Sequence, residues 1–185
     1  LSADFEMAWA FRYSRTRHSE AEEAGMNERM NIPRLVDLFE KYDIPVTWAT
    51  VGHLFLGECT RSDGVTAHSE MPRPAYFSNK NWSYEAGDWY DHDPCTDMVR
   101  DPAWYASDLA DLILKSQAGH EFGCHSFSHC DFTYANCSKE MADAELDASV
   151  AAASLKNIKM RSMVFPGGTF GNYESLVERG FSCYR

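Results

Sequence analysis

Asn31-Ile32-Pro33-Arg34-Leu35-Val36-Asp37-Leu38-Phe39-Glu40-Lys41-Tyr42-Asp43-Ile44-Pro45-Val46-Thr47-Trp48-Ala49-Thr50-Val51-Gly52-His53 is the stretch that decides the fold. Asn31 is a residue type that caps helices, and Pro33 is tolerated in a first turn, so a helix is predicted to open here. Ile32, Leu35, Val36 and Phe39 then recur at helical spacing. Asp43-Ile44-Pro45 stops that pattern. Val46–Val51 is rich in β-formers and reads as a buried strand. A helix passing directly into a buried strand is the repeating unit of a parallel α/β sheet.

The same alternation extends in both directions. Leu1–Ala3 reads as the tail of a strand whose beginning is missing. Ser107 is placed as the cap of a second helix, with Leu109, Leu112 and Ile113 on one face and Gly119 at its end. Glu121–Cys124 is a short strand, and Ser138 starts an Ala-rich helix running to Lys156. Ser162–Phe165 is a strand ended by Pro166-Gly167-Gly168. Asn172 caps a short helix closed by Gly180, and Phe181–Arg185 is a last strand cut short. Strands and helices in strict alternation predict a parallel α/β sheet or barrel, truncated at both ends, in a single domain over 1–185.

Residues 57–106 break this rhythm. They carry Trp82, Tyr84, Trp89, Tyr90, Trp104 and Tyr105 without helical or strand period. A long irregular segment inside a compact domain is usually functional or disordered, and the aromatic density argues against disorder. It leaves from the C-terminal end of the Val46–Val51 strand. It reads either as ordinary loop packing or as a sugar-stacking platform.

The net charge of −11 argues against nucleic acid and anionic membrane as partners. No apolar run approaches the length of a membrane span. The six Cys form no C-x-x-C pair and read as free thiols, with Cys59 and Cys95 the pair that a disulfide would join. Oligomeric state is not legible, and the cytoplasm is only slightly favoured over the cell surface.

His125-Ser126-Phe127-Ser128-His129-Cys130 carries the chemistry. Two imidazoles four positions apart face one point if the segment turns helically. Asp4-Phe5-Glu6 supplies carboxylates whose spacing puts both on one face of a strand. Two His and one carboxylate make a three-ligand metal site with a position left for water, and a second carboxylate beside it serves as general base. Asp4 and Glu6, His53, His125 with His129, and Pro166-Gly167-Gly168 each follow a predicted strand. The C-terminal strand ends of a parallel α/β fold form one face, so these residues are expected to converge. His53 reads equally as a core histidine. His18, His68 and His92 read as solvated. His120-Glu121 does not make the H-E-x-x-H pattern, because the next His is His125.

Taken together, these motifs resemble the polysaccharide deacetylases of the NodB homology type, carbohydrate esterase family 4, and in particular their peptidoglycan-deacetylase-like branch. Asp4-Phe5-Glu6 matches the first family motif in a form with a spacer. His125-Ser126-Phe127-Ser128-His129 matches the second, preceded by Gly119-His120-Glu121-Phe122-Gly123. Asn31–His53 is similar to the first helix and second strand of that family. The resemblance implies a distorted barrel of parallel strands. It implies zinc, or another divalent ion such as cobalt or nickel, and hydrolysis of an N- or O-linked acetyl group on a carbohydrate. By the same resemblance His125, His129 and Glu6 are metal ligands and Asp4 is the catalytic base, with the roles of Asp4 and Glu6 open to exchange. The substrate-facing set is Trp48, His53, Trp89, Pro166, Gly167 and Gly168. The third motif lacks its Arg, since Val164 stands at that position; Arg12, Arg161 and Arg185 are the candidate replacements. The fourth and fifth motifs, with a further Asp and the general-acid His, are expected beyond residue 185. Two rival readings are a non-catalytic carbohydrate-binding member of the fold and a metal-independent cyclic amide hydrolase.

Overall fold

The computed structural model describes residues 1–62 and 64–185; residue 63, inside the 57–106 segment, lies outside the described residues. In chain order the elements are β1 (Ser2–Phe5), α1 (Ala21–Lys41), β2 (Thr47–Thr50), β3 (Phe77–Ser78), β4 (Ser83–Tyr84), α2 (Ser107–Lys115), β5 (Glu121–Cys124), α3 (Lys139–Ser154), β6 (Ser162–Met163), α4 (Tyr173–Glu178) and β7 (Cys183–Tyr184). Five of these strands form one parallel sheet in the order β1-β2-β5-β6-β7. Strands β3 and β4 form a small antiparallel pair inside the 57–106 segment.

The register aligns the strand ends. Phe5 pairs with Thr50, Thr50 with Cys124, and Cys124 with Met163. Glu6, Val51, His125 and Val164 therefore leave the sheet at one level, on one edge. The sheet also curls, because Asp4 on the first strand of the order meets Arg185, just past the last, at 3.1 Å between Oδ1 and Nη2. The concave face is polar: Thr47 Oγ1 and Ser162 Oγ both donate to Glu121 Oε1, at 2.7 and 3.2 Å. A cavity of about 250 Å³ lies along it, reaching from Ser2 to Arg185. This is a partly closed barrel of parallel strands.

The convex face is apolar and covered by helices. Phe5 and Trp48 meet edge to face at 6.4 Å, and Phe39 of α1 packs on Trp48. Alternation along a strand explains why Asp4 and Phe5 take opposite faces.

Several boundaries differ from those read in the sequence. Helix α1 begins at Ala21, and Pro33 stands in its interior. A proline there removes one helical hydrogen bond, but tertiary contacts hold the preceding turns. Gly25 lets α1 approach the Met7–Ala10 turn so closely that a Cβ would sit 2.9 Å from Ala8 N and 2.8 Å from Ala103 O. Arg29 reaches across to Asp108 and to the Pro102 carbonyl. Ser107 is the first helical residue of α2, and the capping position is Ala106 with no side-chain cap. Asn172 does precede α4, but its side chain donates to the Phe132 and Cys137 carbonyls instead of capping. Ser138 caps α3 as read, accepting from Met141 N at 3.2 Å. The Ser162–Phe165 strand is confined to Ser162–Met163.

Candidate functional site

Glu6, His125 and His129 converge at the sheet edge. Glu6 Oε2 lies 3.1 Å from His125 Nε2 and 3.3 Å from His129 Nε2. Strand register alone brings in Glu6 and His125. His129 arrives by a different route from the one expected, since residues 125–129 are not helical. Ser126 and His129 both have left-handed backbones, with φ of 57° and 58°, a conformation that costs about 1–2 kcal/mol per non-glycine residue.

Buried hydrogen bonds hold this loop in shape. Glu145 of α3, fully buried, accepts from the Phe127 and Ser128 backbone N–H groups at 2.8 Å each and from Ser128 Oγ at 2.6 Å. Ser126 Oγ accepts from Cys130 N, and the Ser126 and Phe127 carbonyls accept from Gly52 N and His53 N. Glu145 and Glu28 carry no signal in the sequence, because both sit on helices as ordinary-looking acidic residues. Glu28 of α1 accepts from the backbone N–H groups of Glu6 and Met7, and burial pushes its carboxyl up to about 8. Those bonds fix where the chain turns after β1.

The donor set suits a cation. His125 Nδ1 lies 2.7 Å from the Val164 carbonyl, which can only accept, so Nδ1 carries a proton. In the neutral ring the Nε2 facing Glu6 is then a bare lone pair, set 3.1 Å from a carboxylate oxygen. Two acceptors at that distance repel unless a proton or a metal ion lies between them. Burial acts to raise the Glu6 carboxyl, but the hydrogen bonds and charges of the two imidazoles outweigh it and hold it well below the usual carboxylate range. Burial lowers His129. Two imidazoles and one carboxylate are the donor set zinc accepts, with room for a fourth ligand. The same residues suit cobalt or nickel.

Asp4 and Glu6 open onto one cavity of about 300 Å³, walled by Trp82, His129 and Gly167 among others. Of the three candidate arginines, Arg185 is the one on Asp4. Arg12 is buried, with its guanidinium donating to the Trp9 and Ser128 carbonyls and lying over the rings of Trp9 and Trp89. The Arg161 carbonyl accepts from Ser182.

The predicted substrate-facing residues divide. Trp89 and Pro166 wall a cleft with Phe77, Trp82 and His129. Trp89 donates from Nε1 to Ser128 Oγ at 2.7 Å and stacks on Tyr13 at 4.8 Å. Gly167, at φ 58°, leaves space that the Trp82 ring occupies; a Cβ there would lie 1.9 Å from the ring. Gly168 is exposed next to it. Trp48 does not reach the cleft, because register with Ala3 and Phe122 puts it on the convex, helix-covered face. His53 is also outside the cleft, fully buried beneath Trp9 at 4.4 Å between rings. His68, read as solvated, is buried beside it. The 57–106 segment is mostly packed aromatic structure, with Trp82 and Phe77 presented to the cleft and Trp104 and Tyr105 in the core. Among the described residues all six Cys are free thiols, and Cys59 and Cys95 both face Asp93.

The sequence profile of the polysaccharide deacetylases matches residues 23–179. No curated protein matches the chain. Among solved structures, a mutant of a CE4 family pseudoenzyme with restored enzymatic activity is similar over 100% of this chain and 42% of its own, with a TM-score of 0.52 at 13% identity. A deacetylase of Streptococcus pyogenes in complex with acetate is similar over 98% of this chain and 52% of its own, with a TM-score of 0.51 at 11% identity. The chain spans about half the length of these two structures. At such identities the likeness is one of fold.

Proposed function

Because the chain belongs to the polysaccharide deacetylase family, we propose that Glu6, His125 and His129 hold a divalent cation, zinc foremost, and that the protein hydrolyses an N- or O-linked acetyl group on a carbohydrate. The observation that carries this reading is the convergence of His125 Nε2 and His129 Nε2 on Glu6 Oε2, at 3.1 and 3.3 Å, with the His125 ring oriented by the Val164 carbonyl. A cation bound there would acidify a water and polarise the acetyl carbonyl.

The chain's own residues divide the remaining work. Val164 O fixes the His125 ring, and Glu28 and Glu145 fix the backbones that carry Glu6 and His129. Asp4, on the same cavity as Glu6, takes the proton of the attacking water as general base. Arg185 orients the Asp4 carboxylate, the task the missing third-motif arginine would otherwise perform. Trp82 and Phe77 offer apolar faces to a sugar ring.

The test uses the full-length protein and acetylated oligosaccharides, read by acetate release and by metal content. Asp4→Asn is expected to keep the metal and lose acetate release by about 10²–10⁴-fold, the worth of a general base. Undiminished release from Asp4→Asn would overturn the assignment of the base. Glycan binding with no release by the unaltered protein would favour a binding role for the fold.

A further inference from the structure

A second group of metal-type donors lies away from Glu6, His125 and His129. His53, Cys59, His68 and Asp93 bring one ligand atom each to within 4.8 Å of the others. Three of the four side chains are buried and Cys59 is half-buried. Asp93 Oδ2 is the meeting point: His68 Nε2 is at 2.8 Å, His53 Nε2 at 3.1 Å and Cys59 Sγ at 3.3 Å. Neighbouring ligand atoms on a tetrahedral zinc with two imidazoles, a carboxylate and a thiolate are about 3.3–3.6 Å apart, and here the separations from Asp93 Oδ2 are 2.8–3.3 Å with the other pairs within 4.8 Å, so small side-chain shifts would gather all four on one ion.

Hydrogen bonding alone does not account for the group. A carboxylate oxygen offers about two lone-pair sites, and His68 Nε2 and Cys59 Sγ already take both on Oδ2. His53 bears the consequence. It is fully buried, yet neither ring nitrogen has a hydrogen-bond partner, because Nε2 points off the line to Asp93 despite the short distance. A buried unpaired polar group costs about 1–3 kcal/mol, and a lone pair aimed at a metal removes that cost on one nitrogen. The other oxygen of Asp93 is held independently: Tyr105 OH donates to Oδ1 at 2.8 Å and Cys95 N at 2.9 Å. Outer partners of this kind orient a carboxylate that ligates through its free oxygen.

We propose that His53, Cys59, His68 and Asp93 form a closed, structural zinc site that fastens the 57–106 segment to the barrel. Four protein donors leave no open position, so this site has no part in hydrolysis. His53 comes from the turn after β2, and the other three ligands come from the segment itself. Phe77, Trp82 and Trp89 lie in the chain between His68 and Asp93. The zinc thus clamps both ends of the stretch that walls the cleft, cutting the entropy of that loop as a cross-link would. The inference stands on this cluster alone and does not depend on the deacetylase reading.

Cobalt(II) replacement in the full-length protein distinguishes the two sites. A thiolate ligand gives a sulfur-to-cobalt charge-transfer band in the near ultraviolet, and Glu6, His125 and His129 supply no sulfur. The band is expected in the unaltered protein and in His125→Ala, and is expected to vanish in Cys59→Ser. Alkylation mapped by peptide analysis is a second measurement that needs no variant: Cys59 is expected to be protected in the zinc-loaded protein and to react once zinc is chelated. Metal content of two per chain, falling to one in His125→Ala, supports both sites. One metal that keeps the sulfur band and persists in His125→Ala supports this site and overturns the first. Absence of the band in the unaltered protein, its survival in Cys59→Ser, or an unprotected Cys59 in zinc-loaded protein would overturn the inference.

Discussion

Replacing Glu145 with Gln tests whether a buried carboxylate shapes the metal-binding loop. Glu145 is fully buried on α3 and receives two backbone N–H groups on Oε2, with Ser128 Oγ and Tyr90 OH on Oε1. Burial pushes its carboxyl up, while the Ser128 and Phe127 donors and the Arg12 charge pull against that. All four partners can donate, which favours the charged form. Gln has nearly the same shape, so no cavity arises. Its oxygen can keep the two backbone donors. Its NH2 group must then face Ser128 Oγ and Tyr90 OH, and Ser128 Oγ already accepts from Trp89 Nε1. Hydrogen bonds to a charged acceptor contribute about 1 kcal/mol more than neutral ones, so the four together lose about 2–4 kcal/mol. For a chain of this size that is a fall in Tm of about 5–15 °C. The left-handed Ser126 and His129 lose their support as well, and zinc affinity of the Glu6 site is expected to fall about 10–100-fold, as for other partners that orient metal ligands. Denaturant unfolding, calorimetry and zinc titration of the full-length protein measure both effects, with the exposed Glu140→Gln on the same helix as control. A stability loss below about 1 kcal/mol, with zinc affinity unchanged, would mean that the carboxyl is already protonated in the fold, and would refute the reasoning.

Gly52→Ala should destabilise by about 1–3 kcal/mol, because the new methyl would lie 2.8 Å from Ser149 Cα and α3 has to shift; a denaturation midpoint unchanged from the parent would show that α3 gives way freely. Ser138→Ala removes the α3 cap and should cost about 1 kcal/mol in the same assay. Arg185→Gln breaks an exposed pair with Asp4, so stability should move by less than about 1 kcal/mol. Acetate release by Arg185→Gln should nonetheless drop with metal content intact, and equal rates would remove Arg185 from the orienting role. Gly167→Ala combines a left-handed backbone with a clash on Trp82, whose Nε1 is tied to the Ala10 carbonyl. Oligosaccharide binding, followed by calorimetric titration, should weaken as the indole is displaced.

The readable parts of the sequence are those with a local cause. Glu121–Cys124 is a strand at the residues expected, and Ser138 caps α3, because short apolar runs and capping hydroxyls act within a few residues. Helix α1 was read short because Pro33 outranks its neighbours in a local reading; the packing of Gly25 and the contacts of Arg29 that extend it come from residues far away in the chain. Trp48 is in the substrate-facing set given with the resemblance, but the pleat sends it to the helices. His68 looked solvated because nothing near it in sequence announces Asp93 as its partner.

By itself the sequence determined the alternation of strands and helices, the level at which the strands end, and so the meeting of Glu6 with His125. Period and strand order are local properties that survive any detail of packing. The tertiary structure alone decided three further things: that His129 joins the pair through left-handed turns held by Glu145, that Arg185 closes the curled sheet onto Asp4, and that His53, Cys59, His68 and Asp93 meet. Each depends on side chains brought within about 3 Å by contacts between distant segments, and hydrogen-bond or ligand geometry at that range has no imprint in spacing along the chain.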